Sequence, residues 1–282
     1  MIIDFIGKRY FYLILSGLII LPGIISLLIP PSLLPGIEFT SGTLMTFHFE
    51  QPMDQAALRD KLALLGHGDA IIQRTGEGDY LVRTRLLQGE APDQGGNVTS
   101  QQERQRLLDG LRESFGPVTM LSFDAVSPLV AKEIGQKAML AVVVASVFIL
   151  LYITYAFRQV PSPFRYGTCA IVAMLHDVLM VVGLFSIFGK VFNIEIDSMF
   201  ITAVLTVIGF SVHDTIVVFD RIRENIRRMP GREFGAVVND SLTQTVARSL
   251  TTSLTLVFTA VALLLFGGVT IRNFLLAMLI GT

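Results

Sequence analysis

The residues with the clearest chemical potential are charged or polar side chains that lie within or beside long apolar stretches. Asp214 lies about five residues, or roughly 7–8 Å along a helix, inside the end of the apolar stretch Ser198–Phe219. Arg248 immediately precedes the apolar stretch Ser249–Gly268. An ionised carboxylate at membrane depth is costly and usually functional. Because the arginine favours the charged carboxylate and burial favours the protonated one, the pair could form a proton relay. The alternative is a static salt bridge near the membrane surface.

Two further polar residues could support such a relay. Thr252 follows Arg248 by one helical turn and lies on the same helix face. Asp177 lies ten residues inside the apolar stretch Gly167–Phe188, next to His176. Its depth leaves three interpretations open: a relay group, a structural charge between helices, or a protonated carboxyl that hydrogen-bonds to a neighbouring helix.

The composition excludes several classes of function. The 282 residues are 52% hydrophobic and 16% charged, with a mean hydropathy of +0.62, whereas soluble domains average about 25% charged residues. The net charge of −1 argues against a nucleic-acid partner. Cys169 is the single cysteine, and the four histidines form no HExxH pattern. We therefore expect no intrachain disulfide, no metal or other cofactor, and no conventional enzymatic activity.

Apolar stretches of about 20 residues recur along the sequence, which is the length that a helix needs to cross a membrane. Five such spans are predicted, at Tyr10–Ile29, Ala138–Phe157, Gly167–Phe188, Ser198–Phe219 and Ser249–Gly268. A sixth begins near Asn273 and has only ten residues before Thr282, so we expect this span to be truncated. The first stretch is too long for the apolar region of a signal peptide and lacks a small-x-small cleavage site, which favours a retained anchor.

Basic residues in the short connections predict the orientation. They alternate from one connection to the next in the manner of cytoplasmic segments, and they comprise Lys8, Arg9, Arg158, Arg165, Arg221, Arg223, Arg227, Arg228, Arg232 and Arg248. The predicted organisation is therefore a cytoplasmic N-terminus with the first span (1–30), a periplasmic domain (31–137), and spans two to six (138–282). An Arg-rich cytoplasmic loop is predicted at 220–248.

The segment 31–137 has the pattern of a small α+β domain. Strands are predicted at Leu44–Glu50, Ala70–Thr75, Tyr80–Leu86 and Val118–Val126. Helices are predicted from Asp54, as N-cap, to Leu65, and from the capping box Ser100-x-x-Glu103 to Phe115. Turn-rich segments are predicted at Gly76–Asp79 and Gln88–Val98. The order β-α-β-β-α-β is that of a ferredoxin-like domain. The segment contains no evident catalytic constellation, which favours an interaction or lever module.

Four motifs resemble the SecF family of bacterial protein-export subunits. The longest and most specific is TVIGFSVHDTIVVFDRIREN at Thr206–Asn225. The others are NDSLTQTVARSLTTS at Asn239–Ser253, AMLHDV at Ala173–Val178 and GIEFTSGT at Gly36–Thr43. The resemblance covers nearly the whole chain, and the order of spans and the position of the α+β segment agree with it.

The resemblance implies a function and several partners. A SecF-like subunit would pair with a SecD-like subunit in a twelve-span assembly related to resistance-nodulation-division transporters, in the bacterial inner membrane. The assembly would act with the SecYEG channel and use the proton motive force to promote late steps of preprotein translocation, with protons as the coupling ion and lipid around its spans. The family's proton-linked residues map onto Asp214 and Arg248.

The sequence also departs from the family pattern. His213 stands where the family usually has asparagine, and Glu38 and Ser41 replace the usual aspartate and glycine of the motif after the first span. Ser41 has less backbone freedom than glycine, so the turn there is expected to differ. Two alternative functions stay open at this point: a structural assembly subunit whose charges are fixed, and a half-transporter of the resistance-nodulation-division type.

Overall fold

The chain, in a computed structural model, divides into two compact units. One consists of Pro35–Ala138 and is called the sheet domain; the other consists of Met1–Leu34 with Met139–Thr282 and is called the helical bundle. The structure describes residues 4–50, 53–75, 79–87, 97–158, 163–268 and 271–282. The division follows the sequence, since the long apolar stretches belong to the bundle and the alternating segments to the sheet domain.

The elements are numbered in chain order. The helices are α1 (Arg9–Leu28), α2 (Ile37–Thr40), α3 (Gln55–Leu64), α4 (Asn97–Phe115), α5 (Pro128–Ala156), α6 (Pro163–Phe192), α7 (Ser198–Arg228), α8 (Phe234–Phe266) and α9 (Arg272–Gly281). The strands are β1 (Gly42–Phe49), β2 (Ile71–Thr75), β3 (Asp79–Thr84) and β4 (Val118–Val126).

The sheet domain has the predicted β-α-β-β-α-β order. Its four strands form an antiparallel sheet in the order β2-β3-β1-β4. The two strands of each βαβ unit are therefore separated by one strand of the other unit. Alternation places one face of each strand in the core. That core consists of strand residues packed on leucines of α3 and α4, among them Met45, Phe47, Phe49, Tyr80, Val82, Leu58, Leu62, Leu107 and Leu111.

Local signals predicted the start of one domain helix and misplaced the other. Asp54 is the N-cap of α3, and its carboxylate accepts a hydrogen bond from Ala56 N at 3.2 Å. The capping box at Ser100 was wrong, because α4 begins at Asn97 and Ser100 lies inside it. The Glu103 carboxylate lies 3.5 Å from His67 Nε2 in a tertiary contact. The predicted turn-rich segments 76–79 and 88–98 fall mostly outside the described residues.

The turn before β1 accommodates the serine that departs from the family motif. Ser41 adopts a φ of 65°, in the left-handed region, and Gly42 follows with a φ of 132°. A Cβ on Gly42 would lie 2.6 Å from Thr84 O, so only glycine fits at that position. Ser41 therefore carries a side chain in a backbone conformation that glycine adopts more readily.

The bundle confirms a multi-span membrane fold. Five of its helices, α1, α5, α6, α7 and α8, are long and apolar enough to cross a membrane, while α9 is shorter. The fold class predicted from the sequence, a polytopic helical bundle with one small α+β domain, is therefore confirmed. The central packing of the bundle joins α6, α7 and α9 around residues such as Met174, Phe185, Phe200, Val207 and Ala277.

The ends of two helices form the Arg-rich connection that was predicted at 220–248. Most of this range is helical: α7 continues to Arg228 and α8 begins at Phe234. Ion pairs along α7 stabilise its polar end, with Glu224 lying 2.5 Å from Arg221 and 2.6 Å from Arg228. The hydropathy pattern marked only the apolar portion of each helix, so helix ends and span ends do not coincide.

Helices α1 and α6 run parallel along a polar seam. Ser16 contacts His176, Gly23 contacts Gly183, and Ser26 contacts Ser186, at a constant sequence separation of 160 residues. At the end of this seam the Lys190 ammonium donates to Ile29 O at 2.8 Å and to Ser26 Oγ at 3.0 Å. We call this set of contacts the α1–α6 seam.

Several basic segments lie at one end of the bundle. Phe5 N donates to Asn239 Oδ1 at 2.7 Å, which places the N-terminal segment beside the start of α8. Phe157, at the end of α5, stacks on Tyr166 near the start of α6 with ring centroids 5.6 Å apart, and both contact Phe219. This end carries Lys8, Arg9 and the arginines of the α5–α6 and α7–α8 connections, and we call it the basic end.

Candidate functional site

Asp214 lies on α7 beside an open cavity of about 440 Å³. The cavity is formed by α6, α7 and α8 and is also lined by Cys169, Ala173, Thr215 and Ser249. The Asp214 side chain is half-buried and makes no hydrogen bond or ion pair with another described residue. Asp214 therefore presents a carboxyl group to the cavity without a partner among the described residues.

Arg248 lies on α8 and lines a different cavity. That cavity, of about 480 Å³, is formed with α5 and the polar end of α7, where Asp220 and Glu224 supply carboxylates. Arg248 is exposed, and no ion pair joins it to Asp214 in this conformation. The structure therefore places the two predicted relay residues on neighbouring helices without bringing them together. It also places Arg248 inside a continuous helix rather than at the start of one.

Thr252 is positioned as the sequence predicted, one turn after Arg248. Its hydroxyl donates to Arg248 O at 3.1 Å, within the backbone of α8. The hydroxyl therefore acts locally on its own helix and does not reach a charged side chain in this conformation. A supporting role for Thr252 in a relay stays a prediction.

Asp177 belongs to a hydrogen-bonded series of side chains that crosses the α1–α6 seam. Asp177 Oδ1 lies 2.8 Å from His176 Nδ1, and His176 Nε2 hydrogen-bonds to the Ser16 hydroxyl. With an ionised Asp177, a neutral histidine would donate from Nδ1 and accept from the serine at Nε2. The series could thus hold or pass a proton, and it also ties α1 to α6.

The cavity beside Asp214 adjoins two others along the same helices. A cavity of about 430 Å³ is lined by Thr168, His176 and Asp177, and shares Cys169 and Ala173 with the Asp214 cavity. A larger one, of about 700 Å³, opens at the basic end and shares Cys169 and Phe219 with it. We call these three cavities, which share lining residues along α6, the α6 cleft.

The α7–α8 hairpin is held by a buried polar contact near the basic end. Asn225 is 2% exposed, and its amide donates to Ser241 Oγ at 2.9 Å and to Gln244 Oε1 at 3.1 Å. Arg221 also donates to Gln244 Oε1. The hairpin carries Asp214 on one helix and Arg248 on the other, so this contact fixes the frame in which both are placed.

Two members of the site were not found from the sequence. Ser16, in the first span, gave no signal because an isolated serine in an apolar helix is ordinary. Cys169 was noted only as the single cysteine, although it lines all three cavities of the α6 cleft. Among residues 4–50, 53–75, 79–87, 97–158, 163–268 and 271–282, no group of three or more His, Cys, Asp or Glu side chains is arranged to hold a metal ion.

Comparison with known proteins places this architecture in a family. Residues 108–282 match the family described as "Protein export membrane protein SecD/SecF, C-terminal". The chain is 48% identical over 279 residues to the protein translocase subunit SecF of Thermobaculum terrenum, covering 99% of this chain and 88% of the relative. The chain belongs to the SecF family. It is 38% identical to the SecF subunit of Anaerolinea thermophila over 99% of the chain and 88% of that relative.

A solved structure also supports the relationship of this chain to the SecF family. The crystal structure of SecDF, a translocon-associated membrane protein from Thermus thermophilus, matches all of this chain with a TM-score of 0.84 and 29% sequence identity. The match covers 36% of that longer chain. This chain is therefore similar to a part of a SecDF protein and to most of the length of SecF subunits.

Proposed function

We propose that this subunit pairs with a SecD-like subunit and uses the proton motive force to promote late steps of preprotein translocation through the SecYEG channel. The observation that carries the proposal is the half-buried Asp214, which has no partner among the described residues and lines the α6 cleft. The cleft gives this carboxyl access to the basic end of the bundle. Because each proton gains roughly 2.3 kcal/mol per 100 mV, a carboxyl between the two sides of the membrane can convert the gradient into movement.

The proposed placement is the bacterial inner membrane, with the N-terminus and basic end in the cytoplasm and the sheet domain in the periplasm. The grouping of the N-terminal segment and of two helix connections at the basic end supports this orientation under the positive-inside rule. Single cysteines in a Cys169→Ser background would test it. A membrane-impermeant maleimide added from the periplasmic side should label Ser122→Cys in the sheet domain. It should not label Arg228→Cys at the basic end.

In this proposal, Arg248 acts in a second conformation. It is separated from Asp214 here, and a proton on Asp214 removes the charge that would attract the arginine. Loss of that proton would favour an approach of α8 to α7 at this level. The switch therefore couples the protonation of one carboxyl to a change between neighbouring helices, and the sheet domain is the module that such a change would move.

Reconstituted proteoliposomes that contain the subunit with its partner and the channel would test the proton path. Asp214→Asn keeps the size of the side chain and should abolish the stimulation of translocation by a proton gradient. Asp220→Asn is the matched control, because Asp220 lies on the same helix, pairs with Arg223 at 2.5 Å and is exposed. Undiminished stimulation with Asp214→Asn would disprove the proton path, whatever the control shows.

A structural assembly subunit is the other candidate, and it makes a different prediction. Fixed charges would act through a permanent Asp214–Arg248 ion pair, and the structure shows these residues apart. A charge exchange, Asp214→Arg with Arg248→Asp, would restore a static pair and hence function. A proton relay would not be restored, because its carboxyl would then line the cavity of Arg248 and lose its position beside the α6 cleft.

A further inference from the structure

The largest cavity of the α6 cleft, of about 700 Å³, combines apolar walls with basic side chains. Its walls come from α6, α7 and the start of α8, with Phe219, Ile222, Ile226 and Phe234 among them. The charged residues among its described lining are Arg165 and Arg232, and no carboxylate is among those described residues. A cavity of this composition favours a molecule that is apolar along most of its length and anionic at one end.

The two arginines differ in the number of contacts that their guanidinium groups already make. The Arg165 side chain is exposed and makes no ion pair or hydrogen bond with another described residue. Arg232 lies 2.5 Å from Asp240 Oδ2 and also donates to Met229 Sδ at 3.1 Å, which leaves further N–H groups of its guanidinium. A planar guanidinium with free donors binds the oxygens of a phosphate group well.

The position of the cavity matches that of a lipid rather than of a free anion. It opens at the basic end of the helices and continues inward along α6 to Cys169, beside apolar spans. A lipid in the surrounding leaflet would place its phosphate at the level of the arginines and its acyl chain along the helices. Basic pockets between transmembrane helices bind anionic lipid headgroups by this combination of contacts.

We propose that this cavity is a binding site for an anionic phospholipid, whose phosphate contacts Arg165 and Arg232 and whose acyl chain lies against α6 and α7. Tyr166 lines the same cavity, and its hydroxyl makes no hydrogen bond with another described residue, so it supplies a further donor to the headgroup. The polar groups of this site differ from Asp214, Arg248 and Asp177, but its cavity is the part of the α6 cleft that adjoins the Asp214 cavity at Cys169 and Phe219.

The single cysteine of the chain is a native reporter for this site. Cys169 is exposed and lines the cavity at its inner end, so a bound lipid should shield it from a maleimide. We expect dioleoylphosphatidylglycerol, added to the full chain in neutral detergent, to slow the labelling of Cys169. Dioleoylphosphatidylcholine and inorganic phosphate are the comparison ligands, and neither should give this protection.

Matched variants locate the headgroup. Arg165→Gln and Arg232→Gln should each weaken protection by about fivefold, which is the factor expected for one basic residue near an anionic lipid surface. Arg228→Gln removes the same charge at the same end, pairs with Glu224 and does not line the cavity, so it should leave protection unchanged. A cysteine placed at Leu18 in a Cys169→Ser background controls for general effects of the lipid on labelling.

The outcomes separate the sources of the signal. Equal protection by phosphatidylcholine would overturn the anionic site, and equal protection by inorganic phosphate would overturn the lipid. Loss of protection with Arg228→Gln to the same extent as with the lining arginines would also overturn it. The headgroup comparison uses the unmodified chain, so it decides the question even if a variant folds poorly.

Discussion

Gly23 of α1 and Gly183 of α6 approach so closely that a Cβ added to either one would lie 2.9 Å from the Cα of the other. Real Cβ atoms essentially never make contacts this short, and both obstacles are backbone. Small residues allow transmembrane helices to approach closely. This glycine pair therefore fixes the distance between α1 and α6, and with it the contacts of Ser16 with His176 and of Ser26 with Ser186.

Gly23→Ala should destabilise the helical bundle. The new methyl group meets backbone that cannot rotate away, and overpacking of this kind costs about 1–3 kcal/mol. Gly17→Ala is the matched control, because Gly17 lies on the same helix with open space around its Cα. Unfolding in dodecyl sulfate, followed by circular dichroism, should give a lower midpoint for Gly23→Ala and an unchanged midpoint for Gly17→Ala. Equal midpoints for the two variants would contradict the close packing.

The amide of Asn225 should contribute measurably to the stability of the α7–α8 hairpin. Asn225→Ala removes both of its hydrogen bonds, to Ser241 and Gln244, and takes this donor away from the fully buried Ser241 hydroxyl. The expected cost is about 1–3 kcal/mol. A double-mutant cycle with Ser241→Ala, measured by the same unfolding assay, should give a coupling energy, because the two side chains are in contact.

A hydroxyl on the same helix serves as the control for that cycle. Thr251 is exposed, and its hydroxyl donates only within α8, to Ala247 O at 2.8 Å. Thr251→Ala should therefore change stability by less than about 0.5 kcal/mol and show no coupling to Asn225→Ala. Additive effects for Asn225→Ala and Ser241→Ala would mean that the hydrogen bond makes no net contribution.

The periodic patterns of the sequence predicted most of the fold because they report local burial. Strand patterns located the four strands of the sheet domain, and apolar stretches located the five long helices. Patterns failed where a tertiary contact competed with a local one. Glu103, predicted to cap its own helix, instead lies next to His67. Hydropathy marked the apolar stretch only as far as Phe219, because beyond it charged residues are interspersed with apolar ones such as Ile222 along the rest of α7.

The sequence named candidate site residues but could not predict how they are arranged in space. Burial cost alone singled out Asp214 and Asp177, and adjacency of spans suggested a contact between Asp214 and Arg248. Whether two side chains on neighbouring helices meet depends on the rotation and translation of each helix, which local sequence patterns do not specify. For the same reason the sequence could not pair Ser16 with His176, whose contact spans 160 residues.

His67 should make the stability of the sheet domain depend on pH. Its side chain is 2% exposed, and burial lowers the pKa of this histidine below its ordinary value of 6.5. Glu103 opposes that shift, and Arg85 adds to it. The unfolded chain then binds more protons than the folded chain below about pH 6.5, so stability is complete above this value and falls as the pH decreases through it.

The pH dependence can be measured with a cysteine placed at Ala70, a core position, in a Cys169→Ser background. The urea concentration at which this cysteine becomes reactive should decrease as the pH is lowered from about 8 to about 5, as the linkage relation requires. His67→Gln should reduce that difference. His48→Gln is the control, since the His48 side chain is 43% exposed, far more than that of His67, and pairs with Asp79 on the sheet. A difference that survives in His67→Gln would assign the pH dependence to other groups.

The series Ser16, His176 and Asp177 should affect proton coupling separately from helix packing. Asp177→Asn keeps a side-chain oxygen at the position of Oδ1, 2.8 Å from His176 Nδ1, but removes the charge. If Asp177 takes part in the relay, this substitution should lower the stimulation of translocation by a proton gradient. Ser16→Ala removes one link of the series, and its effect should be smaller, because Ser16 lies farther from the carboxyl.

A cross-link across the α1–α6 seam separates the two roles of this series. Ser26 Oγ and Ser186 Oγ are 2.8 Å apart, so cysteines at these positions, in a Cys169→Ser background, are placed to form a disulfide. Asp177→Asn should leave the yield of this disulfide unchanged while it lowers the stimulation. A fall in both would show that Asp177 holds the helices together and that the loss of coupling follows from packing. Unchanged stimulation with an unchanged disulfide would exclude Asp177 from the relay and leave Asp214 as its only carboxyl among those predicted here.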